Sequence, residues 1–252
     1  MPRVPLEGAP WPQVDFAAHG PIELRPLSRV QQLTASLLAR NWAMIPHVTH
    51  HDEVDASLLD TARRSLAAAG LGRVTPLAFL VKAVVGALRR QPEFNASLDA
   101  SATQLVLKGY FHIGVAVESP TGLRVPVIRD ADTKSLGEIA AEILEATQLA
   151  RGKGLPMARM SGGCFTISSL GSIGGTGFTP IVNAPELAIL GVGRAVERPV
   201  RLESGLGWRT LLPLSLSYDH RVINGSDAAR FCVGLGQELD ALLREAAALT
   251  PA

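Results

Sequence analysis

The sequence predicts an α/β two-layer sandwich, in which a mixed sheet packs against flanking helices. Strand-like and helix-like patterns follow one another neither in strict alternation nor in separate halves, which favours a mostly antiparallel or mixed sheet. The chain has 252 residues, 47% of them apolar and 19% charged, so one domain with a sizeable core is expected. Its 24 basic and 23 acidic side chains leave no electrostatic footprint for nucleic acid or an anionic membrane.

The amino-terminal part is predicted to be an arm followed by a helix. Residues 1–20 are rich in proline and small residues without periodicity, which indicates a linker or N-terminal arm ahead of a domain at 21–252. Ser28 and Gln31 have the spacing of a capping box. The helix that they begin carries an apolar face, made of Val30, Leu33, Leu37 and Leu38.

The next segments predict a strand, two helices and the first part of a sheet. Residues 44–54 indicate a strand, Asp55 is expected to cap a helix reaching Ala69, and Thr75-Pro76 begins another helix. That second helix should be buried on one side, by Leu80, Ala83, Val84, Ala87 and Leu88. Strand-like runs rich in branched residues follow at 105–107, 110–118 and 123–128.

The second half predicts a helix, three strands and a long final helix. Ser135 and Glu138 form another capping box, and its helix runs to the break at 152–154. Strands are predicted at 163–169, 187–196 and 210–219, with the glycine-rich run 171–177 as a loop rather than a phosphate-binding turn. From Ser226 onward, helical spacing is shown by Ala228, Phe231, Cys232, Leu235, Leu239, Leu242 and Leu243.

The sequence favours a reducing, cytoplasmic location. No stretch approaches the roughly 20 apolar residues that span a bilayer, and no basic region followed by an apolar run begins the chain. Cys164 and Cys232 lie in apolar patterns, so we expect buried thiols rather than a disulfide or metal ligands. His47, His50, His51 and Asp52 suggest a metal cluster, but strand alternation separates His50 from the other two histidines, and no metal site is expected.

The last predicted strand delivers a histidine to its far end. Leu212, Leu214, Leu216 and Tyr218 share one face of this strand, and His220 follows at the point where a turn leads into the final helix. By itself such a histidine is more often a hydrogen-bonded structural residue than a catalytic base.

The segment Asp219-His220-Arg221-Val222-Ile223-Asn224-Gly225 resembles the His-Arg-x-x-Asp-Gly signature of the E2 acyltransferases of 2-oxoacid dehydrogenase complexes. The resemblance extends in order from about Leu24 to about Arg244 and is greatest to the pyruvate-type members, the dihydrolipoyl acetyltransferases of bacteria. Further segments that carry it are 46–49, 92–98, 112–117, 122–129, 163–171 and 180–186.

This resemblance implies a chloramphenicol acetyltransferase-like fold and transfer of an acyl group, expected to be acetyl, between dihydrolipoamide and coenzyme A. It assigns His220 as the general base on the attacking thiol and Ser168 as the donor to the tetrahedral oxyanion. Asn224 departs from the usual aspartate; an amide holds no charge, so we expect it to position its neighbours by hydrogen bonding. The resemblance also implies contacts to coenzyme A from Glu118, Phe178, Ile181 and Asn183.

The resemblance further implies a homotrimer with its active site between subunits, and lipoyl domains and E1 and E3 components as partners. Assembly into a 24-subunit cube stays open, because the chain ends with Ala248-Leu249-Thr250-Pro251-Ala252, which is more polar than the pattern requires. No lipoyl or subunit-binding domain is present in the sequence, so it is either a fragment or a stand-alone relative.

Three other functions remain as alternatives. A serine hydrolase would use Ser168, His220 and either Asp219 or Asp227, but the Gly-x-Ser-x-Gly elbow is missing and Asp219 should face away from His220. A non-catalytic assembly scaffold and an acyltransferase with another acceptor also fit. Acetyl, branched and succinyl donors are not separable, because one methylene in a pocket changes binding by only about 1–3 kcal/mol.

Overall fold

The computed structural model describes residues 12–120, 122–152, 154–203 and 205–249, and within these ranges a mixed sheet carries helices against one face. The helices are α1 (Arg29–Met44), α2 (Leu59–Ala68), α3 (Pro76–Arg90), α4 (Leu136–Arg151) and α5 (Gly225–Ala248). The strands are β1 (His47–Asp55), β2 (Ala96–Leu98), β3 (Leu105–Leu107), β4 (Ile113–Val115), β5 (Val117–Ser119), β6 (Gly122–Arg124), β7 (Val127–Ile128), β8 (Phe165–Ser169), β9 (Ala188–Val192), β10 (Val196–Leu202) and β11 (Gly205–Asp219).

The main sheet has seven strands in the order β1-β11-β9-β8-β4-β7, with β10 paired to the first half of β11. Strand β8 is parallel to both of its neighbours, β4 and β9, whereas the other pairs are antiparallel. Two small antiparallel sheets, β2 with β3 and β5 with β6, lie beside it. The predicted mixed sheet with flanking helices is therefore confirmed.

The two faces of the main sheet differ in chemistry. On β11, Leu212, Leu214, Leu216 and Tyr218 are buried in the core that α2 to α5 complete. The alternating residues Ser215, Ser217 and Asp219 point to the opposite face and are also buried. The strand thus separates an apolar, helix-covered face from a polar one, here called the polar face.

Both predicted capping boxes are present. The Ser28 hydroxyl accepts from the Gln31 N–H at 3.3 Å, and Gln31 accepts in return from the Ser28 N–H at 2.9 Å. Ser135 and Glu138 repeat this exchange at the start of α4, with distances of 3.3 and 2.8 Å. Short-range hydrogen-bond geometry was sufficient to predict where these two helices begin.

Several predicted boundaries are wrong. Met44 ends α1, so the first strand begins at His47, and Asp55 ends that strand instead of capping α2, whose N-cap is Leu58. Helix α3 is buried around most of its circumference rather than on one side, because α4 and α5 both pack against it. The segment predicted at 187–196 contains β9 and only the first residue of β10, a strand that the sequence pattern did not indicate.

The predicted runs at 110–118 and 123–128 are each divided. Residues 122–124 fold back on 117–119 as a separate hairpin, while β4 and β7 join the main sheet. The predicted apolar face of α1 forms, but Leu33, Leu37 and Leu38 are exposed within the described chain.

Residues 1–11 of the predicted arm at 1–20 lie outside the described residues. In the rest of the arm, Phe16–His19 form one short 3₁₀ helix. No helix in the described ranges has both the length and the hydropathy needed to cross a membrane.

Candidate active site

His220 is the first residue after β11, in the turn that leads to α5. Its backbone N–H donates to the Pro46 carbonyl at 3.1 Å, which ties the turn to the residue before β1. Its imidazole is exposed, with the ring centroid 5.8 Å from that of Tyr218. The backbone is therefore held in place while the ring remains accessible to a substrate.

The carboxylate of Asp219 is fully engaged beside this histidine. Arg221 Nε donates to its two oxygens at 2.9 and 3.1 Å, and the Arg221 backbone N–H donates at 3.0 Å. These bonds raise the pKa of the Arg221 guanidinium. Asp227 similarly pairs with Arg230, so each aspartate of the hydrolase alternative already has a cationic partner.

Ser168 lies near the end of β8, on the polar face. Strand alternation places it on the side of Thr166, while Ile167 and Ser169 point toward the helices. It is in register with Gly191 of β9, which is in register with Ser215 of β11. Ser215 in turn contacts His51 Nδ1 at 2.9 Å, so a row of polar groups crosses the sheet at this level.

The structure does not bring Ser168 and His220 together within one chain. His220 lies five residues beyond Ser215, about 17 Å of extended strand, and two strand spacings, about 10 Å, separate β11 from β8. A single acyl group cannot touch both side chains across this separation. The same distance excludes a serine hydrolase built from these two residues in one subunit.

Three of the residues expected to contact coenzyme A lie in the segment that crosses the polar face. The Phe178 ring rests on Gly191, where an added Cβ would lie 2.9 Å from the ring, and the Phe178 N–H donates to the Ser215 hydroxyl at 3.3 Å. Ile181 is half-buried farther along the segment, and the exposed Asn183 donates to a carboxylate oxygen of Glu186 at 3.2 Å. Only Phe178 is thereby brought to the row that contains Ser168.

Glu118 approaches Ser168 from another direction. A cavity of about 930 Å³ beside the end of β8 is lined by Glu118, Ser168 and Gly171, with Arg63 and Arg151 among its other residues. Glu118 itself is exposed, on the small hairpin of β5 and β6.

Glu186 is a buried acid that the sequence analysis missed. Thr166 Oγ1 donates to its carboxylate at 2.6 Å and Asn183 donates to the other oxygen. Burial raises its pKa to about 7, although these hydrogen bonds and the charge of Lys108 act in the opposite direction. The available signal was a glutamate immediately before the apolar run of β9.

Asn224 is the N-cap of α5, four residues beyond His220. Its backbone N–H donates to Asp227 Oδ2 at 3.2 Å, and its own carbonyl accepts from the Ala228 N–H at 3.0 Å. The residue is exposed and joins the histidine turn to the helix.

The two cysteines, the glycine-rich run and the paired histidines complete the set of candidates. Cys164 and Cys232 are free and buried, and burial raises the pKa of both thiols. The glycine-rich residues 171–177 form turns between β8 and β9. His47 and His51 point to the polar face, where His47 Nε2 accepts from the Val182 N–H at 3.0 Å.

The family model described as 2-oxoacid dehydrogenases acyltransferase (catalytic domain) matches residues 19–245. The pyruvate dehydrogenase dihydrolipoyllysine-residue acetyltransferase component of Cupriavidus necator is 51% identical over 91% of this chain and 42% of its own length. Its counterpart in Haemophilus influenzae is 48% identical over 93% of this chain and 42% of its own length. The chain thus spans about two fifths of the length of these curated relatives.

Solved structures give the same result. Azotobacter vinelandii dihydrolipoamide acetyltransferase, investigated for the catalytic roles of one serine, one histidine and one asparagine, is 49% identical with a TM-score of 0.89, covering 93% of this chain and 99% of that one. The cubic core of the pyruvate dehydrogenase multienzyme complex matches with the same values. A chloramphenicol acetyltransferase, at 20% identity, 80% and 94% coverage and a TM-score of 0.55, shares the fold.

The resemblance read from short motifs is thereby confirmed at the level of the whole domain: this chain belongs to the family of 2-oxoacid dehydrogenase acyltransferase catalytic domains.

Proposed function

We propose that this domain transfers an acetyl group between dihydrolipoamide and coenzyme A, in a site that two subunits of a homotrimer share. The names of the relatives from Cupriavidus necator and Haemophilus influenzae support the acetyl group and the lipoyl substrate. His220 acts as the general base and Ser168 as the oxyanion donor.

The observation that carries this proposal is the separation of Ser168 from His220 within one chain. His220 is exposed and Ser168 is half-buried, and the register puts them on different strands and at different levels of the sheet. A second subunit can supply the missing partner, because the histidine turn of one chain can face β8 of another. A trimer closes such head-to-tail contacts into a ring.

The chemistry follows from the two groups. The His220 imidazole removes the proton of the coenzyme A thiol, which is only a few per cent ionised at neutral pH. The sulfur then attacks the thioester carbonyl, and Ser168 donates a hydrogen bond to the oxyanion that forms. Collapse of the tetrahedral intermediate breaks the bond to the lipoyl sulfur, which takes the proton from His220. The proposed reaction therefore uses no covalent enzyme intermediate and no metal.

The relative from Azotobacter vinelandii supports these roles. The serine precedes the histidine by 52 positions in that protein, and the asparagine follows it by four. Ser168, His220 and Asn224 have the same two separations. Asn224 is assigned here the positioning of the histidine turn, since it joins that turn to α5.

Coenzyme A is proposed to approach Ser168 along the segment that contains Phe178, Ile181 and Asn183. The contact of Phe178 with Gly191 supports this, because it puts an apolar ring beside Ser168. Glu118 would contact the same ligand from the cavity at the end of β8.

The exposed apolar side chains support assembly with further copies. Leu33, Leu37, Leu38 and Trp42 are exposed on α1, as are Leu206 and Trp208 on the hairpin of β10 and β11. We propose a homotrimer as the active unit, its assembly into a 24-subunit cube like the core of the matching complex, and lipoyl domains and E1 and E3 components as partners in the cytoplasm.

The test is acetyl transfer from acetyl-coenzyme A to free dihydrolipoamide, measured on protein whose trimeric state has been established by light scattering. Robust transfer is expected for the wild type, with a loss of about 100- to 10,000-fold in kcat for His220→Ala, the contribution of a general base. An intact trimer without transfer would overturn the proposed activity and favour a scaffold or another acyl acceptor.

A further inference from the structure

Three side chains with metal-binding atoms converge on the helix-covered side of β1. His50 and Asp52 are two residues apart on this strand and so share a face, and Cys232 approaches them from α5. One ligand atom from each residue lies within 4.8 Å of the other two. The sequence predicted no metal site here, because strand alternation separates His50 from His47 and His51. It could not reveal that α5 adds a third ligand to His50 and Asp52.

The packing of α5 on β1 explains this approach. Gly236, one helical turn beyond Cys232, has no Cβ, and an added one would lie 3.0 Å from Val54 Cγ1 on β1. The close contact brings the Cys232 thiol, which is fully buried, to the strand. Strand β1 is an edge of the main sheet, and both His50 and Asp52 are only half-buried, so water can reach the cluster.

The ligand atoms are available. Among the described residues, neither the His50 ring nor the Cys232 thiol takes part in a hydrogen bond, and Asp52 accepts only the Glu53 N–H, at 2.8 Å.

The donor set selects the kind of ion. Thiolate, imidazole and carboxylate are all zinc ligands, whereas magnesium and calcium prefer oxygen donors only. Bond lengths of about 2.0–2.3 Å in a tetrahedron place neighbouring donors about 3.5 Å apart, so the three ligand atoms, which lie within 4.8 Å of one another, would have to move closer together around an ion. A thiolate and a carboxylate would neutralise a divalent charge in this poorly hydrated place.

We propose that His50, Asp52 and Cys232 bind a zinc ion, with water as the fourth ligand. The ion fastens α5 to β1, and these two elements flank the histidine turn: Pro46 before β1 accepts from the His220 N–H, and Asn224 begins α5. The ion therefore stabilises the frame of that turn and takes no part in acyl transfer.

The test uses the whole chain without an affinity tag, freed of metal by chelation and titrated with zinc in a calorimeter. One zinc per chain and a rise in Tm are expected for the wild type. His50→Gln removes a ligand and should lower the affinity for zinc. The loss should exceed the roughly 10- to 100-fold that follows when a residue hydrogen-bonded to a metal ligand is replaced. His51→Gln is the matched control and should bind like the wild type, because that ring points to the polar face.

Cobalt substitution identifies the sulfur independently of the histidine variants. The wild type loaded with Co²⁺ should show a thiolate-to-cobalt charge-transfer band, which Cys232→Ala removes and Cys164→Ala retains. If Cys232→Ala fails to fold, the wild-type spectrum and His50→Gln decide the matter. The proposal is overturned if the wild type binds no zinc, if His50→Gln binds as tightly, or if the cobalt spectrum lacks the thiolate band.

Discussion

At the residue scale, the direction in which Ser168 points makes it the proposed oxyanion donor. Its hydroxyl lies on the polar face beside Thr166, while the adjacent Ser169 points toward the helices. Only one of these two hydroxyls can therefore reach an oxyanion that forms against the polar face.

Replacing Ser168 by alanine should lower kcat by about 100- to 1000-fold, because one preorganised donor to the oxyanion is lost. KM for coenzyme A should change little, since the hydrogen bond strengthens only in the transition state. Steady-state kinetics checks this, with Ser169→Ala as the control that retains near wild-type rates. Equal losses in the two variants would show that the assignment of the oxyanion donor is wrong.

Glu186 gives a prediction for the pH dependence of stability. Its pKa is about 7 in the folded chain and 4.5 as an ordinary carboxyl, so between these values the folded state binds a proton that the unfolded state has released. The contribution of this group to the free energy of unfolding should fall as pH rises from about 4.5 to about 7, by on the order of 3 kcal/mol.

Urea unfolding of the wild type and of Glu186→Gln at about pH 5 and about pH 8 measures this effect. Because the glutamine does not titrate, the variant should gain stability relative to the wild type at the higher pH. A difference in stability between the two proteins that does not change with pH would contradict the prediction.

At the scale of elements, the turn from β11 into α5 is the part that holds the proposed base. Pro46 accepts from the His220 N–H, the Asp219–Arg221 pair closes the strand end, and Asn224 begins the helix. Each of these contacts involves the backbone of His220 or a neighbouring residue, so the imidazole stays accessible.

Asn224→Ala should lower kcat by less than His220→Ala does, because asparagine positions the turn and holds no charge that could take a proton. A helix N-cap change of this kind also costs about 1 kcal/mol of stability. Kinetics and thermal unfolding of both variants check the two effects. A loss of turnover in Asn224→Ala as complete as in His220→Ala would require a direct catalytic role for the amide.

Some boundaries of the helices and strands could be predicted from the sequence, and others could not. Ser28 and Ser135 predicted two helix starts correctly, because a capping box is satisfied by residues three apart. The prediction that Asp55 caps α2 was wrong, because aspartate also accepts hydrogen bonds in the turn after a strand. Here it accepts from the Ser57 N–H. Strand β10 and the cluster of His50, Asp52 and Cys232 depend on pairings between distant segments, which local periodicity does not encode.

At the scale of the whole molecule, motif resemblance identified the family and the candidate residues, but the distance between Ser168 and His220 required the sheet register. That distance makes one chain insufficient for the proposed chemistry. The exposed apolar side chains of α1 and of the hairpin of β10 and β11 supply surface for association with other copies.

The most direct test of this account is complementation between two inactive variants. His220→Ala chains and Ser168→Ala chains, each inactive alone, are combined by co-expression, and acetyl transfer to dihydrolipoamide is measured on the mixed trimers. If the site lies between subunits, about one quarter of the sites in randomly mixed trimers pair an intact histidine with an intact serine, and activity should return to that fraction of wild type. Mixed trimers that remain as inactive as the separate variants would contradict the shared site and place the chemistry within one chain.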